Sequence, residues 1–281
     1  MTEGKNSQAK RFMDRVEAVS DLESIVGGLN PRSEKQDPLK RASARNKAIA
    51  YYKESALASA GDLTEQERAR MERELDDMCL KTNAPENHVQ EALLAEFARA
   101  SRYYTENKRQ ILNEIPKSRL EENAFNITPY EIKGNKAHNA AAKAHMEYLA
   151  LTNLASKVNK GEATAEEVRK LDDAILRDTD KNTRSRLKEN GEKDEKYINF
   201  MAALERRATY SILRTQGGAH ESHALRLARK AKKDFEGAFT KNGSYTVADY
   251  VRSNLAALSE EDGRTGMITT YNLLAKQDDG N

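Results

Sequence analysis

YINFMAALERRATYSILRTQGGAHESHALRLARKAKKDFEGAF, residues Tyr197 to Phe239, is the stretch whose reading decides the fold. Its second half carries Ala224, Leu227, Ala228, Ala231, Phe235 and Ala238. Intervals of three and four place these on one apolar stripe of a helix. Arg226, Arg229, Lys230 and Lys233 then fall mostly on the opposite side. Gly217-Gly218 separates this helix from another that starts near Tyr197. Helix, glycine break, helix is the pattern expected of an all-α chain.

The same pattern extends outward. Phe12, Val16, Val19, Leu22 and Val26 predict a helix over 7–26, closed by Gly27-Gly28, with a polar linker at Asn30 to Asp37. A helix from Pro38 to about Ala60 shows Ile49, Tyr52, Ala56 and Leu57 on one face. Thr64 with Glu67 forms a capping box, each side chain positioned to satisfy an amide left free at the helix start. Pro85 suits the first turn of a long helix ending near Ile115. Thr128-Pro129-Tyr130-Glu131 is a further capping box, its helix interrupted by Gly134-Asn135 and resumed from Lys136 to Lys160. Thr164 with Glu167 starts an acidic helix through about Arg177, and Asp178 to Lys196 is expected to be a charged loop. Thr246 with Asp249 caps a helix to about Leu258, and 267–275 forms a last short one.

No segment shows the sustained alternation of period two that a strand requires. The expected fold is therefore an all-α, multi-helix, bundle-like protein of about 8–10 amphipathic helices. Four segments are expected: an N-terminal helix and linker (1–37), two helical subdomains (38–116 and 117–196) and a basic C-terminal subdomain (197–281). Tyr52, Tyr148 and Tyr250 each precede a Leu-Ala pair at related spacing. A weak internal repetition is one reading of this; the resemblance of any two capped amphipathic helices is the simpler one.

Composition narrows the function classes. The chain is 38% hydrophobic and 33% charged, with no Trp and six Phe in 281 residues. Typical domains are roughly 45–50% apolar and about 25% charged, so thin helix-on-helix cores rich in Ala are expected. The single Cys79 excludes an intramolecular disulfide and a cysteine metal cage. The first residues contain no apolar core of a Sec-type signal, and the longest uncharged apolar stretch falls far short of a spanning helix. A soluble protein is expected, cytoplasmic or exported without a Sec-type N-terminal signal.

Charge is concentrated rather than spread. Between Arg206 and Lys233 lie eight cations and one acid, Glu221, in a chain of net charge +2. Arg206, Arg207, Arg214, Arg226, Arg229, Lys230 and Lys233 are the candidate surface for an anionic partner, since a cation row without interleaved acids attracts phosphates or an acidic protein. The opposing reading is internal neutralisation by the acidic helices after Thr64 and Thr164, or by the acids Glu260, Glu261 and Asp262. Gly217, Gly218, His220 and His223 form a candidate phosphate or ligand turn, with free amides at a helix start. His220 and His223 are three apart, not four, so the His-Glu-x-x-His zinc geometry is missing; the plain alternative is two surface histidines after a glycine break. His138 and His145, seven apart, share a helix face and read as packing rather than as metal ligands. Asn126-Ile127-Thr128 reads as a helix cap despite matching a glycosylation sequon. Tyr51-Tyr52 and Tyr103-Tyr104 each turn one ring inward.

No nucleophile elbow, nucleotide loop or distinct carboxylate pair occurs, so no catalytic residue, cofactor or metal is assigned. The leading reading is a non-enzymatic helical interaction protein (adaptor, structural component or effector) with a protein partner and an undetermined oligomeric state. A nucleic-acid- or phosphate-binding protein using 206–233 is the alternative. An enzyme built at the Gly217–His223 turn is the third.

Overall fold

The computed structural model describes residues 7–29, 38–81, 85–240 and 244–275. Among these residues there are eleven α-helices and no strand. The all-α expectation holds, because capping and 3–4 periodicity recur along nearly the whole chain. No helix among the described residues is long and apolar enough to cross a membrane. The chain divides into two compact units, Met1–Leu120 with Leu255–Asn281, and Glu121–Asn254.

The first unit is built on α1 (Gln8–Leu29), α2 (Pro38–Ser59), α3 (Glu65–Lys81), α4 (Pro85–Glu114), the start of α5 (Lys117–Glu122), the end of α10 (Val247–Glu261) and α11 (Gly263–Leu274). α1 lies along α4 and also meets α2 and α11. Phe12, Val16, Val19, Ala100, Tyr104, Ile111 and Met267 fill one core. The Phe12 and Tyr104 rings stack with centroids 5.1 Å apart. The Tyr104 hydroxyl is hydrogen-bonded to Ser259 Oγ at 2.9 Å and Thr270 Oγ1 at 2.8 Å, so burying it leaves no polar group unpaired. Gly27-Gly28 does not close α1, which runs on to Leu29. A Cβ on Gly28 would lie 3.0 Å from the Ala44 Cβ of α2, so this glycine permits a close helix crossing instead of ending a helix. The linker expected at Asn30 to Asp37 lies outside the described residues.

The second unit holds a 3-10 turn (Ala124–Asn126), α6 (Lys136–Asn159), α7 (Ala165–Glu189), α8 (Glu195–Thr215), α9 (Ala219–Thr240) and the start of α10. α6 lies along α9, and α7 packs against both α8 and α9. Leu151, Ala155, Leu171, Ile175, Leu213, Ala224, Leu227 and Ala228 form its core. Beside it, Phe125, His145, Phe235, Phe239 and Tyr250 make an aromatic cluster with ring centroids 4.8–5.9 Å apart.

Two local expectations are corrected here. Thr128 starts no helix: the residues from Thr128 to Asn135 are irregular and α6 begins at Lys136, capped by Asn135. The Tyr130 amide donates to Asn254 Oδ1 at 2.6 Å and the Ile132 amide to Asn139 Oδ1 at 2.7 Å. Side chains of α10 and α6 thus take up amides that a helix start would have left free. The charged stretch from Asp178 is no loop either, since α7 continues to Glu189. It ends in a paired turn in which the Gly191 amide donates to the Lys188 carbonyl and the Glu192 amide to the Leu187 carbonyl, with Gly191 at φ +87°. Asp194 then caps α8.

Candidate functional site

The site is built on α7, α8 and α9. Each residue of a helix turns by about 100°, which sorts α8 into three sides. Ile198, Ala202 and Leu213 are buried, with Met201, Glu205 and Thr209 half-buried beside them. Glu205 accepts hydrogen bonds from Thr183 Oγ1 at 2.6 Å and from Arg186 of α7. The Thr183 hydroxyl, with Arg186 beside it, holds the Glu205 carboxyl below the usual range.

The second side of α8 is apolar and open. Phe200 is 62% exposed, Leu204 50% and Tyr197 45%, with Ile212 and Ala208 also exposed. Positions 197, 200, 204, 208 and 212 repeat at three and four residues, so these side chains form one ridge about four turns long. Large apolar side chains in a contiguous row on water are the usual mark of an interaction surface.

The third side is cationic. Arg206, Arg207 and Tyr210, with Ala203 and with Leu176 of α7, line an open cleft of about 350 Å³. Arg206 and Arg207 are exposed and make no ion pair among the described residues. The Arg214 guanidinium lies 5.0 Å from the centre of the Tyr210 ring, and one of its nitrogens is 3.6 Å from Asp172.

α9 divides its basic residues between two situations. Arg226 and Lys230 both donate to Asp178 of α7, at 2.7 and 2.5 Å, and Asn182 donates to the same carboxylate at 3.0 Å. Asp178 is only 8% exposed. Burial alone pushes its carboxyl up, but the hydrogen bonds and charges of Lys230 and Arg226 outweigh that and hold it below the usual range. Arg229 and Lys233, by contrast, face solvent without an ion pair among the described residues. The neutralising acid comes from the helix after Thr164, at Asp178, the first residue of the stretch that reads as a loop.

The Gly217–His223 turn has similar internal ties. Gly218 takes φ +77° between α8 and α9. His220 Nε2 lies 2.7 Å from Oδ1 of buried Asp172 on α7, so His220 is not a plain surface residue. His223 is half-buried, and burial followed by the charge of Arg226 lowers its pKa. A phosphate at this turn would meet the Asp172 carboxylate. No serine, threonine or cysteine side chain lies within hydrogen-bonding distance of the His220–Asp172 pair among the described residues. Nor do three His, Cys, Asp or Glu side chains converge there, or anywhere among the described residues, in a way that could hold a metal.

His138 and His145 are fully buried and serve packing. His138 Nε2 faces the Tyr130 carbonyl at 2.7 Å, and His145 Nε2 the Phe125 carbonyl at 3.4 Å. A carbonyl only accepts, so each Nε2 carries the proton, and each Nδ1 accepts from a tyrosine hydroxyl: Tyr245 at 2.6 Å and Tyr250 at 2.8 Å. Burial lowers both histidine pKa values, and it raises that of Tyr250.

The ridge of Tyr197, Phe200, Leu204 and Ile212 was absent from the sequence reading. Its one signal is that α8 carries apolar residues on more than one side, a pattern easily assigned wholly to core. No protein-family model matches this chain, and neither the curated proteins nor the solved structures contain a match to it.

Proposed function

We propose that this chain is a non-enzymatic helical interaction protein whose working surface is α8, an adaptor, structural component or effector rather than a catalyst. The observation that carries this reading is the exposed ridge of Tyr197, Phe200, Leu204 and Ile212 beside unpaired Arg207. These four large apolar side chains are roughly half exposed, so a partner that covers the row gains on the order of 1 kcal/mol for each, about half of what full burial provides. The nucleic-acid reading keeps Arg206, Arg207, Arg229 and Lys233. It loses Arg226 and Lys230, whose charges are already shared with Asp178.

Site-specific photocrosslinking tests the proposal in the cells that make the protein. A benzophenone amino acid at exposed Ala208 should give discrete protein adducts, and one at exposed Glu236 on α9 should not. Adducts to nucleic acid at 208 would favour the alternative. Equal yields at 208 and 236 would remove α8 as the working surface.

A further inference from the structure

Resting on the proposal that α8 is an interaction face, the geometry points to its occupant. This is an amphipathic helix of another protein that lays its apolar stripe along Tyr197, Phe200, Leu204 and Ala208 and carries Asp or Glu on one flank. From Tyr197 to Ile212 the ridge is about 22 Å long at 1.5 Å per residue, which matches four turns of a docked helix. Leu204, Ala208 and Ile212 continue it with aliphatic groups, which suit a helix stripe and offer stacked bases no platform.

The charge of the partner follows from what borders the ridge. On the helical wheel Lys196, Arg207 and Arg214, separated by eleven and seven residues, fall together along the open flank. Both acids of α8 face the other way: Glu195 pairs with Lys188 of α7 at 2.8 Å, and Glu205 takes Thr183 and Arg186. Asp194 is occupied in capping the helix. The open flank is therefore cationic over its whole length. Lys196 and Arg207 have no ion pair among the described residues, and Arg214 reaches Asp172 only at 3.6 Å.

The same flank disfavours a second copy of this chain. Antiparallel pairing centred on Leu204 would bring Arg214 within a turn of Lys196 of the copy, at both ends. Parallel pairing would set that flank against the opposite flank of the copy, whose Glu205 is already taken by Thr183 and Arg186. Like charges so placed suppress a wrong partner, whereas a row of carboxylates is matched at every position.

The test uses the full chain and a phage-displayed library of helical peptides of about 16–20 residues, the span of the ridge. The library is apolar at heptad a and d positions and random in charge elsewhere. Selected peptides should carry Asp or Glu on one flank. In fluorescence anisotropy they should lose about tenfold or more in affinity, roughly 1.4 kcal/mol, against a Phe200→Asp, Leu204→Asp variant. Selection on Arg207→Glu should shift the flank preference towards Lys and Arg. Circular dichroism should show both variants folded, since all three residues are exposed.

Binders without charge preference, or a preference unmoved by Arg207→Glu, would overturn the acidic partner. Adducts at Ala208 would then still uphold α8 as a face. Binding indifferent to Phe200→Asp, Leu204→Asp, or no selected binder at all, would also overturn it. So would a dimer in sedimentation that Leu204→Asp dissolves, or a single-stranded oligonucleotide that binds through Phe200.

Discussion

Replacing Arg226 and Lys230 by Gln should destabilise the protein, while the same change at Arg229 and Lys233 should not. Gln is nearly as good a helix former as Arg or Lys, so α9 itself is preserved in both variants. The difference lies in Asp178, 8% exposed, which would keep only Asn182 as a hydrogen-bond donor after the first change. Stripping a fully buried carboxylate of its partners costs about 3–5 kcal/mol. Here the Arg226 and Lys230 side chains are 42% and 43% exposed, so water can reach the pair. A loss of ~1–3 kcal/mol is expected once that screening is allowed for. With a urea dependence of about 2 kcal/mol per molar, the midpoint should fall by roughly 1 M. Arg229→Gln with Lys233→Gln should stay within about 0.5 kcal/mol of the native protein.

Adding Asp178→Asn to the first pair should return much of the lost stability, because the stranded charge is then gone. The sign with pH is also set. A carboxyl held low in the folded state contributes stability that is present above its unfolded pKa and lost as pH falls through its folded one. Urea melts followed by circular dichroism read all of these. Equal midpoints for the two double variants would refute the division of α9 into paired and free cations.

Three further outcomes are expected. His138 and His145 are neutral and buried, with folded pKa values pushed down by burial, so the unfolded chain takes up protons first as pH drops; stability is fully present above the unfolded pKa of about 6.5 and should decline below it by up to about 1.4 kcal/mol per pH unit for each histidine. Urea midpoints between neutral and mildly acid pH check this, and a flat profile in the native protein would contradict it. Gly266→Ala should cost about 1–3 kcal/mol by overpacking, since its Cβ would lie 2.7 Å from Ser259 Cα and 2.9 Å from Ser259 N, which are backbone atoms; a thermal melt unchanged by the substitution would disprove the close approach. His220→Ala should cost about 1–2 kcal/mol by leaving Asp172 short of a partner, more than His223→Ala, whose side chain makes one long contact with Arg226; a reversed order in chemical denaturation would contradict the pairing.

How far the fold was legible depends on whether the information is local. Thr64, Thr164 and Thr246 cap the helices they were expected to cap, because a capping box is a matter of four neighbouring residues. The apolar stripe of α9 is buried as its spacing requires, at Ala224, Leu227, Ala228, Ala231 and Phe235. Thr128 carries the same local signature and fails, since Asn254, 124 positions along the chain from Tyr130, supplies a competing acceptor for the Tyr130 amide. Asp178 to Glu189 reads as a loop on propensity and is helical because Asp178 and Thr183 find partners on α9 and α8.

Sequence by itself determined the class of this protein. Helix periodicity, capping residues and scarce proline act over one or two turns, and they admit no sheet among the described residues. The cations of 206–233 were likewise visible as a cluster. Only the tertiary structure decided which of them are free, because pairing depends on distance in space: Asp178 lies 48 and 52 residues from the cations it neutralises. It alone also decided that one apolar row of α8 is core and the other surface. Both rows are apolar, and the exposed one is no less so than the buried one; what separates them is the presence of α7 on one side of the helix and water on the other.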